Sequence, residues 1–86
     1  MTRDEAVEHI LAELNRAEMR FPWWPTSAVE AASIVSEEAG ELIHAANEYH
    51  WFGGPKPAMA TEAIQLTAMA LRFLLHWAEY TPTEAP

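Results

Sequence analysis

The chain has no cysteine, which excludes a disulfide framework and a thiolate metal site and permits an intracellular location. Basic residues are almost as scarce. Five Lys and Arg stand against 13 acidic residues, a formal net charge of −8, and beyond Arg20 the only two are Lys56 and Arg72. Such a balance repels phosphate backbones and anionic membrane surfaces, so no direct nucleic-acid binding is expected except through a metal ion. Glycine is limited to three residues, and Gly53-Gly54 lacks the flanking pattern of a phosphate-cradling loop. A long unbroken apolar run is missing too. The longest apolar tract, Ala58 to Ala78, is interrupted by Glu62, Gln65, Arg72 and His76, whereas a membrane span needs ~20 largely apolar residues. The N-terminal Met1-Thr2-Arg3-Asp4-Glu5 lacks the apolar core of an export signal, so the expectation is a soluble, cytoplasmic protein.

What the chain does have is hydrophobic mass. Half of its 86 residues are hydrophobic, with four Trp and four Met, which suits a folded domain and not a disordered one. The expectation is a single domain over residues 1–86. A chain of this size buries only roughly 60 to 65% of its unfolded surface, which leaves its core marginal and makes self-association plausible.

Three helices are predicted. Thr2 and Glu5 fit a capping box, after which Val7, Ile10, Leu11, Leu14 and Ala17 recur at helical spacing over about 3–20. Glu8, Glu13, Arg16 and Arg20 form its other face, read most simply as solvated surface. The segment Phe21-Pro22-Trp23-Trp24-Pro25 then makes a stiff aromatic elbow, because proline ends helices and pushes its predecessor toward extended geometry. Its Trp faces suit either a stacked nucleobase or closure of the core or a subunit contact.

Ser27 and Glu30 suggest a second capping box before a helix that runs to near Trp51, where Gly53-Gly54-Pro55 stops it. Ala32, Val35, Ala39, Leu42, Ile43 and Ala46 form its apolar face, with Glu30, Glu37, Glu41 and Glu48 opposite and Glu38 on the edge. The third helix is expected from about Ala58 to Tyr80, halted by Thr81-Pro82 ahead of a frayed tail. Ile64, Leu66, Ala68, Leu71, Phe73, Leu74, Leu75 and Trp77 surround it almost completely, which predicts burial on most sides. A narrow seam of Glu62, Gln65, Arg72, His76 and Glu79 remains, facing either solvent or the acids of the second helix.

The densest chemistry is Glu37-Glu38-Ala39-Gly40-Glu41. Spacings of three and four residues make these carboxylates neighbours, and two unit charges ~4 Å apart repel by roughly 4 kcal/mol at an effective dielectric of ~20. Exposed to water, the cluster needs nothing; enclosed, it calls for a cation or raised pKa values.

Glu38-Ala39-Gly40-Glu41, preceded by Glu37 and followed by Leu42, together with Glu62-Ala63-Ile64-Gln65 twenty residues further on, resembles the MazG-like all-α nucleoside triphosphate pyrophosphohydrolases over about residues 26–78. Their signature is Glu-x-x-Glu on one helix and Glu-x-x-Asp on a later one; here Gln65 stands in the Asp position. The resemblance implies an all-α fold of three main helices in a four-helix-type core completed by homodimerisation. It also implies Mg²⁺, or Mn²⁺, held by Glu38, Glu41, Glu62 and Gln65. Catalytic roles fall to Glu38 and to Glu37, the latter as acceptor of a water proton or ligand of a second metal. The implied reaction cleaves a nucleotide substrate, an NTP or dNTP, to monophosphate and pyrophosphate. Gln65 supplies no negative charge, so weaker metal binding or one fewer metal is expected.

Substrate contacts are open to two readings. Lys56 and Arg72 can touch phosphates, or serve as a surface charge and a structural ion pair; Trp23, Trp24, Trp51 and His50 are stacking candidates. His44 and His76 have too little company to be ligands, and Met59 and Met69 read as core. The alternative to an enzyme is a non-catalytic acidic helical interaction module that kept the fold and lost hydrolysis.

Overall fold

A computed structural model describes residues 1–82, and within them the chain is all-α. Thr2 accepts the Glu5 N–H at 3.1 Å while the Glu5 carboxylate accepts from Thr2 N–H at 3.4 Å, and this reciprocal cap opens α1 (Arg3–Arg20). Pro22 bars its continuation. Ser27 accepts the Glu30 N–H at 3.3 Å at the start of α2 (Ala28–Phe52), so one arm of the expected box carries that cap. Gly53 ends the helix in the left-handed region, at φ 70°, where a Cβ would be strained, and the Gly54 N–H returns to the Glu48 carbonyl at 2.8 Å.

The third helix departs from expectation at both ends. α3 spans Lys56–Leu75, two residues earlier at its start, because Pro57 falls in the first turn, where the missing N–H costs nothing. It also stops before Tyr80. His76 leaves helical geometry and Trp77–Glu79 form one 3₁₀ turn, which lets the Tyr80 hydroxyl accept from Trp24 Nε1 at 2.9 Å and donate to the Phe73 carbonyl at 2.8 Å. The frayed tail expected after Pro82 lies outside the described residues.

α3 packs against both α1 and α2, which make no comparable contact with each other. Leu14 and Ala17 from α1, Trp24 from the elbow, Ala31 from α2, and Ala68 and Met69 from α3 form the buried core. Met59, also expected there, is partly buried. The predicted enclosure of α3 does not hold within one chain: only Ala68, Met69 and Arg72 are buried in it, and Leu74, Leu75 and Trp77 are exposed. The inward line of α2 also differs from the expected face. Ala31 and Ala45 are buried while Ala32 and Ile43 are exposed, so the inward row is Ala31, Glu38, Ala45 at seven-residue steps. Glu38 thus sits in line with core residues. By length and composition α3 is apolar enough to cross a membrane, at a mean hydropathy of 1.2. Of its polar seam, Glu62, Gln65 and His76 are partly buried and Arg72 is buried, while Glu79 is exposed.

Candidate functional site

Glu38 and Glu41 project from adjacent turns of α2 toward Glu62, near the start of α3, and one carboxylate oxygen from each lies within 4.8 Å of the others. Glu38 and Glu62 are partly buried, Glu41 is exposed, and Oε2 of both Glu38 and Glu62 is buried without a hydrogen-bond partner. Burial raises the Glu38 pKa above the usual carboxylate range, and the charges of Glu41, Glu62, Glu13 and Glu37 raise it further. Glu62 is pushed up by burial first, then by hydrogen bonding to Glu41 and by that residue's charge. Three carboxylates, two of which carry a buried Oε2 without a partner, form a cluster of hard oxygen donors suited to a small divalent cation.

The acids divide two hollows. A cavity of about 380 Å³ opens between α1 and α2 beneath the elbow, where Glu38 and Gln65 face Trp23, Trp24 and Arg72. A more open cleft of about 480 Å³ lies beyond Glu41 and Glu62, with His44 and Glu48 in its wall.

The structure distributes the expected residues between these features. Gln65 lines the elbow cavity alongside Glu38, and Glu37 is solvent-exposed. Trp24 is buried against the core at 7% exposure, whereas Trp23 is 73% exposed on the cavity rim. Arg72 makes no ion pair among the described residues; Nη2 donates to the Phe21 carbonyl at 2.6 Å and the Trp23 carbonyl at 3.4 Å, with the guanidinium 4.8 Å from the Trp24 ring centroid. Lys56 is exposed at the start of α3 and lines neither hollow. His50 and Trp51 pack edge to face and line neither hollow. His44 stands 3.9 Å from Glu48, and His76 stacks on Trp24 while pairing with Glu79.

Two residues assigned to solvated surface also line the cavity: Arg16 is exposed as expected, and Glu13 is partly buried. Arg16 grips Glu13 through two bonds of 2.6 and 2.8 Å, and both line the wall opposite α3. That hydrogen bonding to Arg16 lowers the Glu13 pKa against the opposing effect of burial. The signal was their i, i+3 spacing beside Leu14 and Ala17, on the margin of the apolar stripe.

Compared with protein-family models, with curated proteins and with solved structures, the chain matches none.

Proposed function

We propose that this protein is a divalent-cation-dependent nucleoside triphosphate pyrophosphohydrolase, releasing monophosphate and pyrophosphate. The observation that carries the reading is the convergence of Glu38, Glu41 and Glu62 from two helices, with two buried carboxylate oxygens unpaired. An all-oxygen donor set suits Mg²⁺ or Mn²⁺, and when bound such an ion neutralises polyphosphate charge and activates the phosphorus centre toward water. Glu38 and Glu62, partly buried, and Glu41, exposed, are the residues that would hold the cation. Glu37, exposed and adjacent in sequence, is the acceptor for the proton of the attacking water. Gln65, turned to the elbow cavity beside Glu38, orients water or substrate through its amide. The flanking hollows give room for a nucleoside on the Trp23–Trp24 side and for departing phosphates on the other. The same reading makes the protein a cytoplasmic homodimer with a four-helix-type core.

The test is to incubate the protein with ribo- and deoxynucleoside triphosphates and Mg²⁺ or Mn²⁺ and to quantify monophosphate and pyrophosphate. Turnover is expected to fall at least about a hundredfold in Glu41→Gln and to vanish with chelator. Turnover no higher than that variant's removes the proposal, and metal binding retained without turnover moves the chain to the non-catalytic alternative.

A further inference from the structure

Of the five Lys and Arg side chains only Arg72 is buried, with 3% of its surface exposed. Among the described residues no carboxylate lies within 4.0 Å of it, its hydrogen bonds run from Nη2 alone, and Nε has no partner. A desolvated guanidinium is stable when acceptors surround it, and two backbone carbonyls and one indole face leave part of that requirement unmet. The side chain lines the elbow cavity. Nε is sealed from solvent, so an occupant of the cavity would be met by the terminal N–H groups that the two carbonyls leave free.

The rest of the lining narrows its chemistry. Phe21 and Trp23 supply exposed aromatic surface, which suits a planar ring, while Trp24 is taken up by Arg72 and His76. Glu13 is neutralised by Arg16 in the same wall, which leaves Glu38 to repel a phosphate, whereas a neutral carbonyl oxygen accepts from a guanidinium without that repulsion. Gln65 can donate or accept at the ring's edge. We propose that the cavity beneath the elbow selects nucleobases bearing a ring carbonyl, such as guanine, hypoxanthine and uracil, over adenine, with the carbonyl oxygen turned toward Arg72. This rests on the reading of the chain as a nucleotide-handling protein. Adenine offers an exocyclic amino group where the guanidinium also donates, so one donor on each side goes unpaired.

The experiment is calorimetric titration of the full chain with nucleosides, in chelator and without divalent metal. Inosine and purine riboside differ at the 6-oxo group and its neighbouring ring proton, and inosine is expected to bind about tenfold tighter or more, with guanosine and uridine likewise ahead of adenosine. Arg72→Lys retains a cation able to hold the elbow carbonyls; with its helical circular dichroism intact, its preference is expected to shrink to within about threefold while purine riboside affinity changes little. A purely structural Arg72 would instead weaken all nucleosides alike. Equal or tighter adenosine binding overturns the proposal, as does the absence of saturable nucleoside binding or displacement of inosine by inorganic phosphate. Should Arg72→Lys not fold, the wild-type pair decides. Turnover is read separately with Mg²⁺: hydrolysis that prefers ATP refutes the base preference and keeps the enzyme, and inosine binding without hydrolysis of its triphosphate does the reverse.

Discussion

Glu38 shows how position changes the meaning of a carboxylate. On the edge of a wet helix it would need no partner, but in line with Ala31 and Ala45 it is partly buried with Oε2 unpaired, and Glu62 meets it in the same state. Both pKa values are raised in the folded chain, so the folded state binds these protons more tightly than the unfolded one. Their contribution to stability is therefore full below the ordinary value of 4.5 and is lost as pH rises through the raised values. Glu13 has the opposite sign: its lowered pKa stabilises above 4.5, and that contribution is lost on acidification. Comparison of variants separates the two. In chelator, Glu38→Gln is expected to melt a few degrees above wild type at pH 7, and the gap should close as pH falls toward 4.5. Mg²⁺ should raise the wild-type melting temperature at pH 7 and leave that of Glu38→Gln nearly unchanged. Thermal scans followed by circular dichroism read both effects; a Glu38→Gln variant less stable than wild type at neutral pH in chelator contradicts this account.

The elbow is held by the last turn of α3 and the residues just beyond it. Arg72 bonds two of its carbonyls, His76 stacks on Trp24, and Tyr80 receives the Trp24 indole N–H. Replacing Tyr80 by Phe keeps the ring against Phe73 and strands a buried indole donor, at a cost of about 1 to 3 kcal/mol. Urea titration of Tyr80→Phe measures that loss, and tryptophan emission should shift to the red if the elbow loosens. These contacts also explain where the sequence was legible. Caps, prolines and Gly53 act within a few residues, so all three helices and most of their ends could be read in advance. The end of α3 could not, because the residues just beyond it are tied to the elbow by the bond of Tyr80 to Trp24, 56 residues apart in the chain. The site divides in the same way. Glu38 and Glu41 were visible through i, i+3 spacing, and Glu62 through its place in a polar seam, but Glu13 and Arg16 reach the cavity only once α1 packs against α3. Gln65, read as a metal ligand, lines that cavity as well.

At the scale of the whole molecule, one chain exposes more surface than its mass warrants. A folded monomer of 9.7 kDa should expose about 5,100 Å², and this chain exposes 6485 Å². Its radius of gyration is 15.0 Å where a compact chain of this length has about 12 Å, and its extents of 51 × 29 × 22 Å describe a slab. The surplus of roughly 1,400 Å² per chain is of the size that obligate dimers bury on each partner. Much of it is apolar, since Val29, Ile43, Leu74, Leu75 and Trp77 are all exposed. A shallow groove of Ala32, Val35, Ala70, Phe73 and Leu74 between α2 and α3 carries no charged residue, so two chains of net charge −8 can meet there with their acids turned away. Its alanines allow helices to approach closely, and a two-fold pairing of this face would set α2 and α3 against their copies as four helices. The homodimer proposed above is expected to sediment at twice 9.7 kDa at micromolar concentration. Ala32→Glu combined with Leu74→Glu alters two exposed positions and should yield a helical monomer, since a like charge introduced on both sides of an isologous contact is counted twice. A wild type that sediments as a monomer at 100 µM, a concentration about a hundredfold above the micromolar dissociation constants of weak complexes, would instead assign the face to another occupant. Flotation with neutral lipid vesicles then shows whether that occupant is a bilayer.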